Sequence, residues 1–289
     1  MRSRSAACRL VVEHGIPRAV EVLGVRFQAL TRLEAAEAIA ALAKSDGKSY
    51  VVKPYSEFLP RAARDAQVRS ILEGADLCLA DGAGILWAAH YLSLPGGAAR
   101  ALAQFPLSLA RLLLNPSAIR RPLPEAMAGV DLTWEMLGAL DRAGLTVFLL
   151  GGSRTEIDGA HRTIERRFPE LRIVGAHPGH FSLSGTENDE VVSQVNDAAP
   201  DVLLVAMGFP RQEIWIAENL ERLNVHVAVA EGGSFTFIAG AVPRAPGWMR
   251  RSGLEWLFRL ARQPWRLRRQ LALPVFVWLV LRERLSRKA

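Results

Sequence analysis

The sequence predicts an α/β protein: a Rossmann-like, doubly wound, mostly parallel sheet with a C-terminal basic helical appendage. Three observations carry the prediction. Short apolar runs rich in Val, Leu and Ile alternate with segments of helical length through most of the chain, the pattern of strands joined by crossover helices. Four of these runs end in glycine-containing turns, at Asp81-Gly82-Ala83-Gly84, Gly151-Gly152-Ser153, Gly208-Phe209-Pro210 and Glu231-Gly232-Gly233. Charge is divided along the chain: residues 244–289 hold 12 of the 36 Lys and Arg and 2 of the 29 acids (12 − 2 = +10), which leaves 24 − 27 = −3 for residues 1–243.

Element by element, Val20 to Phe27 reads as a strand, Arg32 to Lys44 as a helix and Ser49 to Val52 as a second strand. A helix over Asp65 to Glu73 and a buried strand over Ala75 to Leu79 follow, then a helix from Ile85 to Tyr91. The second half repeats the alternation: helix Asp131 to Ala143, strand Thr146 to Leu150, helix Thr155 to Phe168, strand Leu171 to Ala176 and helix Glu187 to Ala198. Strand Asp201 to Met207, helix Gln212 to Asn219 and strand Val225 to Ala230 complete it. Residues 95–124 break the pattern with Pro, Leu and Arg, and Leu102, Phe105, Leu109, Leu112 and Leu113 fall at helical spacing. That segment is either a helix covering the core or a second membrane-facing element, and packing is the commoner use of such spacing. Pro243 ends the alternation, which gives a core over 1–243 and an appendage over 244–289.

The appendage contains the apolar run Leu271 to Leu281, bracketed by Arg266, Arg268 and Arg269 before it and Arg282, Arg284, Arg287 and Lys288 after it. The run has 11 residues, far short of the roughly 20 that a membrane-crossing helix needs. An apolar, Trp-bearing segment between arginines suits an anionic membrane surface. The alternatives are a core-packing helix, a disordered basic end or a nucleic-acid arm; Trp248, Trp256, Trp265 and Trp278 offer stacking for the last, but the unbroken apolar run favours lipid over nucleic acid. Cys8 and Cys78 are far apart and form no CxxC or Cys/His cluster, so a disulfide framework and a zinc site are not indicated. No signal-peptide-length apolar stretch precedes Glu13, so secretion is not supported and a reducing cytoplasm is the expected compartment.

Ligands of open parallel sheets collect at the carboxyl ends of the strands, which is where the four turns converge. Asp81, at such an end, is either a general base toward a substrate hydroxyl or a cap for the helix that follows. The Gly151-Gly152-Ser153 turn is a place for backbone amides to receive a phosphate, or simply a tight turn. Arg211 and Gln212 follow Pro210 near a helix start, either facing a ligand or forming a polar first turn. His180, in AHPGHF, is more often structural than ligand-binding in such a setting. No DxD-like pair or metal-ligand cluster suggests a metal-dependent diphosphate site.

These residues resemble the bacterial WecG/TagA/CpsF glycosyltransferases from about Val22 to Gln270. The family's blocks stand here as Asp81-Gly82-Ala83-Gly84, Gly129-Val130-Asp131-Leu132, Gly151-Gly152, PELRIVGAHPGHF, DVLLVAMGFPRQEIWI, GGSFTFIAG and RAPGWMRRSGLEWLFRLARQPWRLRR. The resemblance implies an inverting, metal-independent transfer from a UDP-sugar to a polyprenyl-diphosphate-linked saccharide, in teichoic acid, common antigen or exopolysaccharide synthesis, commonly with N-acetylmannosamine or a related sugar. It makes Asp81 the base and Gln212 a donor contact. Arg259, Arg266 and Arg269 would meet the acceptor diphosphate, a task that suits guanidinium forks. Gly151, Gly152, Gly232, Gly233, Lys53 and Tyr55 complete the expected donor site, with no cofactor besides the UDP-sugar. The expected partners are that donor, the lipid-linked acceptor and an anionic membrane surface, with no nucleic acid; a homo-oligomer is left open.

Some residues depart from the family pattern. Lys53, Tyr55 and Glu57 stand where a Thr-x-Asn-x-Glu turn is usual, and the Lys53 cation points toward an acidic sugar or an extra phosphate contact. Ala126 and Ala128 replace Arg and Thr, so a phosphate contact is either missing or supplied by Arg120 or Arg121. Thr236 stands where Asp often follows GG.F. A nicotinamide oxidoreductase would need a GxGxxG after the first strand and an acid at the end of the second, and the chain has neither. A catalytically inert membrane-surface scaffold is the remaining rival, opposed by the presence of Asp81, Gln212 and the three tail arginines.

Overall fold

The computed structural model describes residues 19–127, 129–243, 245–246, 249, 255–262 and 267–287. A two-stranded antiparallel hairpin comes first, β1 (Ala19–Val22) and β2 (Val25–Gln28). The continuous strand expected over Val20 to Phe27 is therefore broken: Leu23 and Gly24 both take positive φ (52° and 80°), and the chain reverses so that Val22 pairs with Val25. The apolar positions change parity across the turn, from Val20 and Val22 to Val25 and Phe27, the phase shift of a two-residue loop that a single-strand reading passes over.

Helix α1 (Arg32–Ala43) starts at a capping box in which Thr31 and Glu34 exchange side-chain and backbone hydrogen bonds. Strand β3 (Ser49–Val52) leads through a short helix α2 (Phe58–Ala62) to α3 (Ala66–Gly74), whose N-cap Asp65 accepts from the N–H groups of Gln67 and Val68. Then come β4 (Leu77–Cys78), α4 (Ala83–Ser93), α5 (Ala98–Leu114), α6 (Gly129–Arg142), β5 (Thr146–Gly151), α7 (Arg154–Arg167), β6 (Arg172–His177), α8 (Thr186–Ala198), β7 (Val202–Ala206), α9 (Arg211–Asn219), β8 (Val227–Ala230) and α10 (Ser234–Ile238). The last helices are α11 (Glu255–Arg262), α12 (Leu267–Gln270) and α13 (Ala272–Ser286). The expected elements appear with ends shifted by a few residues; α2 and α10, each five residues long, carry too few turns to show a period.

Strands β3 to β8 form one sheet in the order β4-β3-β8-β7-β5-β6, and every neighbouring pair is parallel. Because successive side chains point to opposite faces, the strands feed two cores. Val52, Cys78, Leu150, Val205 and Ala230 enter one; Val51, Leu77, Leu149, Leu204 and Val229 enter the other. Both faces are buried, which is why these strands are nearly continuous apolar runs.

The C-terminal helix does not stand apart. Phe276 and Val280 of α13 join the same core as Trp87 and Tyr91 of α4, and the Phe276 and Trp87 rings meet at a tilt of 65° with centroids 6.2 Å apart. Glu283 accepts a hydrogen bond from Leu23 N–H at 3.0 Å, so the last helix holds the first turn. One side of the expected membrane-contact run thus packs on the core, and the chain's apolar interior continues past Pro243. Among the described residues, no helix is long and apolar enough to cross a membrane.

Truncating Phe276, which is 1% exposed, removes a large aromatic side chain from that core. Phe276→Ala is expected to lower unfolding stability by about 3–5 kcal/mol, checked by the shift of the urea midpoint.

Candidate active site

The parallel arrangement brings the ends of β3 to β8 to one edge of the sheet. At the β5–β8 end of it lies a cleft of about 680 Å³, lined by Gly152 and Glu156 after β5, Gly179 to Phe181 after β6, Met207, Gly208 and Arg211 after β7, and Gly232 and Gly233 after β8. Of the expected donor residues, Gly152, Gly232 and Gly233 line this cleft. His180 lines it too, contrary to its commoner structural role.

The glycine turns are held by bonds within the protein. Gly151 (φ 138°) lies against β7 so closely that a Cβ would drive into the Ala206 carbonyl. Gly152 N–H donates to Ala206 O at 3.0 Å, and Ser153 N–H donates to Glu156 Oε2 at 2.8 Å in the capping box of α7. These two amides are therefore engaged within the protein, as a tight turn requires. Gln212 has a comparable task. Its Oε1 accepts from Gly208 N–H at 3.0 Å and from Gly232 N–H at 2.9 Å, while its Nε2 donates to Glu213 Oε1 at 2.8 Å. At 3% exposed, Gln212 ties the β7 and β8 turns together from beneath the cleft.

The polar groups left in the cleft are distinct in sign. Arg211 donates through Nη2 to the carbonyls of Gly179 and Phe181, and its guanidinium lies 5.6 Å from the centroid of the Phe181 ring. A guanidinium carries five N–H donors, so this clamp leaves donors for a ligand. Glu156 is the cleft's carboxylate. Burial acts to raise its pKa, but hydrogen bonds from Ser153 and Thr236 and the nearby His180 prevail and hold it below the ordinary 4.5. Thr236 supplies one of those bonds at 2.7 Å.

Toward the β3–β4 side, Asp81 follows β4 with its backbone N–H donating to Pro54 O at 3.1 Å. It does not cap α4: the cap position is Gly82 at φ 85°, with no side-chain cap bond. Its carboxylate instead lies beside the first turn of α6, since a Cβ built on Gly129 would come 3.9 Å from Asp81 Oδ2 and 3.5 Å from Ser234 Oγ. A helix N-terminus presents the positive end of the helix dipole to such a group.

Beneath lies a buried network. Lys53 Nζ and Glu231 Oε1 are 2.8 Å apart, with side chains 4% and 0% exposed. The other Glu231 oxygen lies 2.5 Å from Thr133 Oγ1, which is also 2.8 Å from the Gly129 carbonyl. The Lys53 charge is thus matched inside the protein, which removes the reason for inferring an acidic sugar or an additional phosphate from it. Tyr55 packs edge-on against Phe58 at 4.5 Å between centroids and does not line the cleft. Arg120 and Arg121 are exposed. Arg266 and Ala128 lie outside the described residues, as do the side chains of Arg259 on α11 and Arg269 on α12. No group of three or more His, Cys, Asp or Glu suited to a metal occurs among the described residues.

Comparison with known proteins decides the lineage. The signature of the Glycosyl transferase WecG/TagA/CpsF family matches residues 20–113 and 106–289. The chain belongs to this family. Among its relatives is the N-acetylglucosaminyldiphosphoundecaprenol N-acetyl-beta-D-mannosaminyltransferase of Bacillus subtilis (strain 168), 34% identical over 166 residues that span 57% of this chain and 63% of that protein. The enzyme of the same name from Bacillus spizizenii is 30% identical over 241 residues, 83% of this chain and 82% of its own. That from Staphylococcus aureus (strain MW2) is 27% identical over 261 residues, 90% and 91% of the two chains.

Sequence reasoning on this family member missed Glu156, Phe181 and Met207 as cleft residues. The signal for Glu156 was present as Ser153-x-x-Glu156, a capping box, and it pointed to helix capping alone. Phe181 and Met207 carry no chemical signature; only the meeting of the β6 and β7 ends places them.

Two outcomes follow. Gln212→Ala leaves the Gly208 and Gly232 N–H groups without their partner, with an expected loss of about 1–3 kcal/mol in denaturant unfolding. For Glu156, the folded pKa lies below the unfolded one, so its stabilisation is complete above pH 4.5 and disappears as pH falls through the lowered folded value. Glu156→Gln is expected to flatten that acidic limb, measured by thermal melts from pH 3 to pH 7 (roughly the span of carboxylate titration).

Proposed function

We propose that this chain is an inverting, metal-independent glycosyltransferase that moves N-acetylmannosamine or a closely related neutral sugar from a UDP-sugar to a polyprenyl-diphosphate-linked saccharide. The observation that carries the reading is the placement of Asp81. Its carboxylate sits on the same sheet edge as the glycine-turned cleft but on the β4 side of it, beside Gly129 and Ser234. A donor diphosphate near Arg211 and His180 then leaves its sugar directed toward Asp81. The relatives' name supports the acceptor, a saccharide on diphosphoundecaprenol, and the N-acetylmannosaminyl group.

In this mechanism Asp81 takes the proton from the acceptor hydroxyl as that oxygen attacks the anomeric carbon. The new glycosidic bond forms on the face opposite the leaving group, the bond from the anomeric carbon to the diphosphate oxygen breaks, and UDP departs with the electron pair. Arg211 stabilises the growing charge on the diphosphate without a metal. Gln212 acts through the turns it ties, keeping the β7 and β8 ends in register with the donor. Gly151 serves the same end by allowing β5 to approach β7. Lys53 and Glu231 neutralise each other and hold α6 through Thr133, so the first turn of α6 stays beside Asp81. Tyr55 supports the β3 end by its packing on Phe58. Arg259, Arg266 and Arg269 take the acceptor diphosphate, with Arg120 and Arg121 as exposed cations on the insertion. The enzyme works at the cytoplasmic face of the membrane, held there by its tail.

The test is a panel of UDP-sugars with a lipid-diphosphate acceptor, run on wild type and Asp81→Asn. Wild type is expected to transfer N-acetylmannosamine with inversion, and the variant to lose on the order of a hundredfold or more in kcat with UDP binding retained. Unchanged turnover in the variant removes Asp81 from the base role.

A further inference from the structure

The inserted helix α5 is amphipathic with its apolar side outward. Ala101 and Ser108 are buried, with Phe105 and Leu112 packed against the core, so these positions define the inner face. On the opposite side, Leu102, Ala103, Pro106, Leu107, Leu113 and Leu114 are all exposed, and none is polar. The exposures are large: 54% for Leu102, 52% for Leu107, 62% for Leu113 and 85% for Leu114. Arg100, Gln104 and Arg111 fall on one stripe along the border of this face, at the i, i+4, i+11 spacing that aligns residues on a helix. A helix that only covered the core would turn its polar residues to solvent; here they are confined to the margin.

Charge identifies the occupant. From residue 94 to residue 124 the chain has four arginines, Arg100, Arg111, Arg120 and Arg121, and no Asp or Glu. A leucine face bordered by cations matches an anionic bilayer, with apolar side chains below the headgroups and guanidinium groups among the phosphates. The helix is also braced for the task. Arg284 of α13 donates through Nη2 to the carbonyls of Leu94 (2.7 Å) and Gly96 (2.8 Å), and Arg287 donates to Leu92 O (3.2 Å), which fixes the segment entering α5. Leu271, which precedes α13, and Trp278 on it remain 67% and 54% exposed, and the Arg282 guanidinium lies 5.2 Å from the Trp278 ring centroid.

We propose that α5 is a membrane-binding element in its own right, which inserts its outward leucine face into an anionic lipid surface while α13 anchors it to the core. Two separate contacts, the insertion and the tail, give the two-signal attachment that stable peripheral binding requires. The benefit to catalysis rests on the lipid-linked acceptor proposed above; the lipid contact does not. It would hold the transferase against the surface where that acceptor resides.

The experiment is flotation of the full chain with vesicles of phosphatidylglycerol and phosphatidylethanolamine, comparing wild type with Leu102→Gln/Leu113→Gln. These exposed positions leave the core intact, so the melting temperature should be unchanged. Vesicle partitioning is expected to fall about tenfold or more. Arg111→Glu should weaken binding to these vesicles and leave the low affinity for phosphatidylcholine vesicles as it is. Transfer to a short-chain, water-soluble acceptor should be the same in all three proteins. Partitioning that is unchanged in the double variant overturns the proposal. So does light scattering that shows a wild-type dimer dissolved by the double variant with vesicle binding intact, because the face would then join two copies of the chain. If wild type binds vesicles through α5 but transfers no sugar to the soluble acceptor, the membrane surface stands and the transferase reading falls.

Discussion

Every strand of the main sheet runs in the same direction, and both faces of that sheet are buried. These two facts together constrain everything else. Parallel strands must each be followed by a crossover, so their turns all emerge at one edge. Strands buried on both faces have no polar side to present, so chemistry is displaced to the residues just beyond their ends. Asp81, Gly152, Met207, Gly232 and the loop through His180 occupy such positions. The site is thus a consequence of the topology before any of its residues is considered.

Holding that edge in shape requires hydrogen bonds that a ligand does not supply. The Gly208 and Gly232 amides converge on one Gln212 oxygen, and the Gly152 amide reaches across to Ala206. Buried backbone donors left unpaired would be costly, so the turns are satisfied within the fold and the cleft keeps its form without a ligand. The Lys53–Glu231 pair plays the corresponding part on the β3 side. Lys53 places a buried charge at the end of β3, and the carboxylate at the end of the adjacent β8 answers it at 2.8 Å. Strand adjacency makes the compensation available, since β3 and β8 are neighbours in space while 178 residues separate Lys53 from Glu231 (231 − 53).

Much of the molecule was legible in the chain. The strands at Ser49–Val52 and Thr146–Gly151 announce themselves as apolar runs because burial on both faces demands it. Helix starts at Thr31, Asp65 and Ser153 were marked by capping residues, whose chemistry is local. The hairpin at Leu23-Gly24 was not read from the sequence, although the apolar positions change parity there, from Val20 and Val22 to Val25 and Phe27. Nor was the division of labour within the tail. Leu271 to Leu281 is uniformly apolar, and nothing in its order distinguishes Phe276, which enters the core, from Trp278, which does not.

The sequence by itself determined the α/β class, the family, the polarity of the chain with its basic end, and the identity of the residues at the strand ends. Those are properties of local pattern and composition, which each segment carries alone. Only the tertiary structure decided that Gln212 faces inward to two turns, that Lys53 is neutralised, that Asp81 lies beside α6 and not on a helix cap, and that α5 turns its leucines outward. Each of these depends on which surface of an element meets a partner distant in sequence. A helix period states that two faces differ; contact with the rest of the fold states which one is inside.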